Sequence, residues 1–180
     1  MMLILNNEST ESLLRLYSDV PEELKRRGLL RSNNNPANDY SETIAVRALK
    51  LTLADKSQKG HDATDAEGLR YQIKSRRLTS DNGSRELGIL RDFATRPFDR
   101  LVGVLFDVQF RVFRACIVPF EVVQSRVAYN KYANGHKYHL RDEVWSKPGV
   151  VDVTTLFIAT AAELCNECDG RRIVIETRRA

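Results

Sequence analysis

Cysteine and long apolar segments are both scarce in this sequence. Three cysteines among 180 residues are an odd number and too few for a disulfide framework. The longest apolar stretch, residues 101–106, is far shorter than the roughly 18 residues that a membrane-spanning helix requires. No basic residue precedes the apolar start of the chain, which is not typical of a signal or transit peptide. The sequence therefore predicts a cytoplasmic protein with neither a disulfide framework nor a membrane span.

An excess of one charge sign is also lacking, since 28 Lys and Arg residues face 24 Asp and Glu residues. The net charge of +4 permits a nucleic-acid partner but is equally ordinary for other cytosolic proteins. A Gly-rich phosphate loop is absent, which argues against an ATP-driven enzyme. Hydrophobic residues make up 42% of the chain, enough to bury a core, so the disordered class is excluded.

Turn-forming residues divide the chain near its N-terminus. Residues 31–39 combine three consecutive Asn residues with Pro36, which predicts an exposed connector. Before it, residues 9–28 carry apolar residues at helical spacing, and Pro21 is expected to begin a second short helix. We therefore predict a helical N-terminal segment, residues 1–32, and a main domain, residues 39–180.

The main domain mixes helical and strand patterns, which predicts the α/β class. Apolar spacing predicts a helix over residues 40–53, with Asp39 or Ser41 as its N-cap. We expect a central mixed β-sheet flanked by helices. Strands are predicted at residues 61–65, 69–75, 99–108, 111–118 and 137–140, and a short strand or tail at 173–177. Further helices are predicted near residues 86–93, 119–127 and 156–165.

Gly68 determines the predicted register of the first hairpin. Three-residue hairpin loops usually place Gly at their last position, where the backbone is left-handed, and residues 66–68 fit this rule. Asp62 then lies opposite Gln72. Because side chains alternate along a strand, one face is polar and the other apolar. The polar face holds Asp62, Thr64, Arg70, Gln72 and Lys74, and the apolar face holds Ala63, Tyr71 and Ile73.

The polar face carries the groups that metal-assisted phosphodiester hydrolysis needs. A hard cation such as Mg²⁺ takes oxygen ligands, which the Asp62 carboxylate, the Gln72 side-chain carbonyl and the Ile73 main-chain carbonyl would supply. Lys74 adds an ammonium beside the site, and Glu42 on the preceding helix would be an outer ligand.

Two alternatives to this metal site remain open. Asp65 is a rival for the metal position, although the predicted loop makes it a turn residue. The second alternative is that the hairpin binds no metal and is a solvated element whose polar face only meets water.

The order of these residues resembles the PD-(D/E)xK nuclease superfamily of restriction endonucleases, junction resolvases and repair nucleases. There, a helix with a Glu precedes a hairpin whose first strand bears a metal-binding Asp and whose second bears (D/E)xK. This chain has Asp39-Tyr-Ser-Glu42, Lys59-Gly-His-Asp62 and Tyr71-Gln-Ile-Lys74 in that order. His61 replaces the Pro before the Asp. Gln72 replaces the second acidic residue, a QxK version similar to that of Mrr-type restriction endonucleases.

The resemblance, which covers residues 39–77, implies a restriction endonuclease-like fold and a DNA endonuclease that uses Mg²⁺ or Mn²⁺. It implies that Asp62 and Gln72 bind the metal, that Glu42 supports them, and that Lys74 activates water or contacts phosphate. A role in restriction or defence, and a homodimer whose two sites cut two strands, are further expectations from the resemblance. No membrane partner is expected.

Three arginines extend the polar hairpin face and predict contacts with DNA phosphates. These are Arg70, Arg76 and Arg77, and binding through them would weaken with added salt. A solvated charged surface is the alternative. Two other functions also remain open, namely a non-catalytic DNA-binding module with a nuclease-like fold and a protein-interaction domain that docks a partner through residues 13–30.

Overall fold

The computed structural model describes residues 5–55 and 60–176, and side chains as far as residue 168. Lys59 of the first-strand motif and Thr177 at the predicted C-terminal strand lie outside the described residues. The helices are α1 (Thr10–Arg26), α2 (Pro36–Leu49), α3 (Phe120–Gln124) and α4 (Thr154–Glu176). The strands are β1 (Thr52–Leu53), β2 (Ala63–Thr64), β3 (Arg70–Arg77), β4 (Glu86–Leu90), β5 (Arg100–Phe106), β6 (Val112–Pro119), β7 (Ala128–Asn130), β8 (Gly135–His139) and β9 (Val151–Asp152).

The strands form a six-stranded and a three-stranded sheet. The larger sheet has the order β1-β2-β3-β5-β6-β9, in which β3 and β5 are parallel and the other neighbours antiparallel. The smaller sheet is antiparallel, with the order β4-β8-β7. The predicted α/β class and mixed central sheet are therefore confirmed.

The central sheet is buried on both faces, but only one of them is covered by the long helices. Along β5, Val102, Val104 and Phe106 pack in a cluster with residues of α2 and α4. Leu101 and Leu105, on the other face, pack against the smaller sheet and α3. Because alternate residues of β5 serve different clusters, its whole length is apolar, as in strands buried on both sides. The structure thus has three layers, and the second sheet takes the place of helices on one side.

The N-terminal segment forms one helix, so the prediction of two short helices is wrong. The apolar residues before and after Pro21 share one face, which favours a continuous helix through the proline. Gly28, with φ +76°, follows the helix as expected for a terminating glycine. No residue of α1 is buried.

The predicted boundary at residues 31–39 is also wrong in part. Helix α2 begins at Pro36, because the Asn35 side chain accepts a hydrogen bond from Ala37 N and a proline fits the first helical position. Asp39 is therefore inside the helix and buried, and Oδ2 accepts hydrogen bonds from the main-chain N–H groups of Arg31 and Ser32. This loop therefore folds back onto α2, and its end is not exposed.

The remaining predictions differ in outcome. The β5–β6 hairpin is confirmed, and β8 begins two residues before the predicted strand at 137–140. The predicted helix near residues 86–93 is wrong, since β4 occupies most of it and pairs with β8. The predicted strand at 173–177 is wrong as far as it is described, because α4 continues to Glu176. Helix α3 is shorter than predicted and starts directly after Pro119. In the described part of the chain, no helix has both the length and the apolar character to cross a bilayer.

Candidate active site

The register of the β2–β3 hairpin is the predicted one. Ala63 pairs with Tyr71 and Thr64 with Arg70, so Asp62 lies opposite Gln72. Gly68 has φ +83°, the left-handed conformation that its place in the loop requires. Asp65 closes the loop by accepting hydrogen bonds at Oδ1 from Glu67 N and Leu69 N, at 3.0 and 2.9 Å. The rival metal ligand is thus engaged as a turn residue.

Asp62 directly precedes the short strand β2 and lies beside β3. Its Oδ2 accepts a hydrogen bond from Ile73 N at 2.6 Å and another from Gln72 Nε2. The N–H and C=O of one strand residue point to the same edge, so the Ile73 carbonyl also faces the Asp62 side. The three predicted ligands are therefore neighbours, although the Gln72 amide presents its NH₂ group to Asp62. The amide oxygen would reach a cation between them only after the amide turns over.

Glu42 and Asp62 line one cleft of about 310 Å³ together with Arg31 and His61. Burial, and next the charge of Asp62, raise the pKa of Glu42 to about 7. Arg31 opposes this rise and forms an ion pair with Glu42, with Nη1 and Oε2 separated by 3.1 Å. Burial also raises the pKa of Asp62, which shows that both carboxyls are partly removed from water.

Lys74 interacts electrostatically with both carboxylates, Glu42 and Asp62. Its positive charge opposes the rise in the pKa of Asp62 and of Glu42 that burial causes. It also lines a second cleft, which extends along β3 away from the carboxylates. The structure therefore brings the four predicted catalytic side chains, Glu42, Asp62, Gln72 and Lys74, into one region.

The donor set fits a hard cation. Within residues 5–55 and 60–168, no group of three or more His, Cys, Asp or Glu side chains is placed to hold a metal. The predicted set does not depend on such a group, because it combines two carboxylates with an amide oxygen and a main-chain carbonyl. All of these are the oxygen ligands that Mg²⁺ and Mn²⁺ prefer. A cation there would also offset the repulsion between Glu42 and Asp62.

Two of the three predicted phosphate-binding arginines have partners within the chain. Arg70 binds Asp99 through two hydrogen bonds, Nε to Oδ2 and Nη2 to Oδ1, both 3.0 Å long. Arg77 donates from Nε and Nη2 to the Val108 carbonyl at 3.0 and 2.6 Å and lies over the Phe110 ring. Arg76 differs, because its Nε is buried and has no hydrogen-bond partner among the described residues.

Sequence reasoning missed Arg31 as a neighbour of the site. No local pattern relates Arg31 to Glu42, which is eleven residues later in the chain. Only the loop that folds back on Asp39 brings its guanidinium into the carboxylate cleft.

Comparison with known proteins adds no family to this picture. No protein-family model matches the chain, and no curated protein gives a significant match. Function must be argued from the chemistry of these residues.

Proposed function

We propose that this protein is a metal-dependent endonuclease that hydrolyses phosphodiester bonds of DNA, with a restriction endonuclease-like fold and a cytoplasmic role in restriction or defence. The observation that carries the proposal is the β2–β3 hairpin, whose register gathers Asp62, Gln72 and Lys74. Helix α2 adds Glu42, which lines one cleft together with Asp62. Carboxylates beside a lysine are the groups that phosphodiester hydrolysis with a hard cation requires.

Each residue has a distinct role in this proposal. Asp62, the Gln72 side chain and the Ile73 carbonyl would hold Mg²⁺ or Mn²⁺, with Glu42 as a supporting ligand. When bound, the cation would supply positive charge for the phosphate oxygens and lower the pKa of a bound water. The Ile73 N–H holds the Asp62 carboxylate in place. Lys74 provides a charge that orients the scissile phosphate or the attacking water.

The test is cleavage of supercoiled plasmid with Mg²⁺ or Mn²⁺ and with chelator. We expect metal-dependent nicking or linearisation by the wild-type protein, and its loss in Asp62→Ala and Lys74→Ala variants that keep the wild-type circular dichroism spectrum. Lys131→Ala is a matched control, since Lys131 is an exposed lysine in the turn before β8. Wild-type nicking by either site variant would contradict the assignment.

A non-catalytic DNA-binding module is the second candidate. One observation favours it, namely that Asp62 and Glu42 are already satisfied by Ile73, Gln72 and Arg31 without a cation. This candidate requires DNA binding that does not change between Mg²⁺ and chelator. It also requires no calorimetric heat of Mn²⁺ binding, whereas the nuclease proposal requires Mn²⁺ binding that Asp62→Asn abolishes.

A further inference from the structure

A second cleft, of about 310 Å³, borders β3 beyond Lys74. Its walls come from the start of α2, from β3 and from the bulged part of β4. The lining residues are Asn35, Asn38, Lys74, Ser75, Arg76, Arg77, Glu86, Leu87, Gly88 and Ile89. This cleft is polar. Of its lining residues, only Lys74 belongs to the candidate active site.

Arg76 is the unexplained group in the cleft. Buried guanidinium N–H groups are normally hydrogen-bonded, yet Arg76 Nε has no partner among the described residues. Arg70 and Arg77, on the same strand, both have partners. Because this Nε is shielded from solvent, an anion with several oxygen acceptors in the cleft would satisfy it once the guanidinium turns toward the cleft.

The charge of the cleft also favours an anion. Arg76 forms no ion pair within the described part of the chain. Lys74 adds a second positive charge, which Asp62 and Glu42 offset in part. Arg77 binds a neutral carbonyl, so its charge is not neutralised either. Glu86 is the acidic residue that lines the cleft, and Lys137 Nζ lies 3.1 Å from its Oε2. The balance of the lining is positive.

Neutral donors complete the lining. Asn38 Oδ1 accepts a hydrogen bond from Ser75 Oγ at 3.3 Å, and Asn35 Oδ1 accepts one from Ala37 N. Both amides therefore have their NH₂ groups available to an acceptor. Gly88, with φ +84°, lies where the register shifts between Glu86 and Ile89, and a Cβ at Gly88 would meet no atom within 4 Å. Such bulges often occur beside functional sites and here keep this wall open.

We propose that this cleft is a phosphate-binding subsite in which Arg76 is the principal ligand, and that it holds a phosphodiester neighbouring the scissile one. The proposal rests on the proposed nuclease function, because it assumes a nucleic-acid strand at Asp62. Lys74 lines this cleft and also interacts electrostatically with Asp62, so a strand that leaves the carboxylates along β3 passes directly to Arg76.

The primary experiment measures binding of a fluorescein-labelled DNA duplex by fluorescence anisotropy, in chelator, over a salt series. Arg76→Gln should weaken binding about tenfold at low salt and lower the slope of log affinity against log salt by about 1. Arg70→Gln is the matched control from the same strand face, because Asp99 already occupies its guanidinium. Equal losses in the two variants, or none in Arg76→Gln, would overturn the proposal.

Inorganic phosphate gives a second readout that needs no DNA. If the cleft recognises the phosphate group itself, phosphate should raise the melting temperature of the wild type more than that of Arg76→Gln. Equal phosphate-induced shifts in both proteins would count against the subsite. If Arg76→Gln does not fold, Arg76→Lys serves instead, and it should keep the salt slope while losing affinity.

The two proposals fail in different ways. Binding that depends on Arg76 without any metal-dependent nicking would overturn the nuclease function and keep the subsite for a DNA-binding module. Nicking that depends on Lys74, together with unchanged DNA binding in Arg76→Gln, would keep the nuclease and overturn the subsite.

Discussion

Single residues on β3 differ in what their charges do, although they look alike in the sequence. Arg70 and Arg76 project from the same face of the strand, six residues apart. Arg70 neutralises Asp99, whereas Arg76 borders an open cleft. Partners rather than residue type therefore decide which arginine is available to a phosphate.

The Arg70–Asp99 pair predicts a pH-dependent contribution to stability. Hydrogen bonds from Arg70 hold the pKa of Asp99 at about 2, below its ordinary 3.8. Between these two pKa values Asp99 is protonated more in the unfolded chain than in the folded one. The stabilisation is therefore present above pH 3.8 and is lost as the pH falls through 2. Because the pair is partly exposed, Asp99→Asn should cost only about 0.5–1 kcal/mol at pH 7.

Urea denaturation at several pH values checks this prediction. The difference between wild type and Asp99→Asn should shrink below about pH 4, in line with the unfolded-state pKa. Asp81→Asn is the control, since Asp81 is exposed and is hydrogen-bonded only to the adjacent Ser80 among the described residues. A deficit that stays constant down to pH 3 would contradict the assigned role of the pair.

Gln72 is expected to stabilise the metal-free protein and to bind a metal more weakly than a glutamate would. Gln72→Glu replaces a hydrogen-bond donor to Asp62 with a second carboxylate, so the metal-free protein should lose about 1–3 kcal/mol of stability. The added charge should strengthen Mg²⁺ binding, and Mg²⁺ should raise the melting temperature of the variant more than that of wild type.

Thermal unfolding with Mg²⁺ and with chelator tests the Gln72 prediction. Gln124→Glu, at the exposed end of α3, controls for the added charge. A Gln72→Glu protein that responds to Mg²⁺ no more than this control would show that the hairpin face does not bind the cation.

At the scale of elements, the small sheet depends on one close approach. A Cβ on Gly135 of β8 would lie 2.9 Å from the Leu90 carbonyl oxygen of β4 and would also collide with the Ile89 side chain. The Ile89 side chain is the nearer of the two, but the Leu90 carbonyl is main chain and cannot rotate away as a side chain can. Strands β4 and β8 therefore pack so closely only because residue 135 is glycine.

Gly135→Ala should consequently destabilise the protein by about 1–3 kcal/mol. Gly83→Ala is the matched control, because a Cβ there would meet no atom within 4 Å and the residue has no positive φ. Chemical denaturation of both variants gives the comparison. Equal stability of the two variants would show that β4 and β8 leave room for a Cβ at residue 135.

At the scale of the whole molecule, α1 stands apart from the packed layers. None of its residues is buried, whereas six of the seven residues of β5 are. Its apolar face is exposed, with Tyr17 at 79% and Val20 at 45%. Val20 also lines an apolar groove of about 880 Å³ that reaches Phe110 and α4.

This difference predicts uneven hydrogen exchange. Amides of α1 should exchange much faster than those of β5, because few buried contacts oppose local opening of the helix. Exchange measured by mass spectrometry at two protein concentrations, with light scattering for the oligomeric state, checks this. Protection of α1 equal to that of β5 in a monomer would contradict the prediction. Protection that rises with concentration would indicate that the expected homodimer covers this face.

The candidate site was predictable from sequence as far as it depends on neighbours in the chain. The loop glycine and the alternation of polar and apolar residues set the pairing of Asp62 with Gln72, since a slip of one residue would turn Ala63 and Ile73 out of the core. Strand β4 was not predictable in this way. Its partner β8 is about fifty residues away, and Gly88 breaks its alternation.

The sequence by itself determined the α/β class, the β5–β6 hairpin and the hairpin that aligns the proposed catalytic residues, because these follow from local periodicity and turn chemistry. Only the tertiary structure decided which charges are free. Arg70 meets Asp99 and Arg77 meets Val108 across separations of 29 and 31 residues, and Arg31 reaches Glu42 through a folded loop. Such contacts depend on how whole elements pack, which no local pattern encodes, and they leave Arg76 as the unpaired donor beside Lys74 among the described residues.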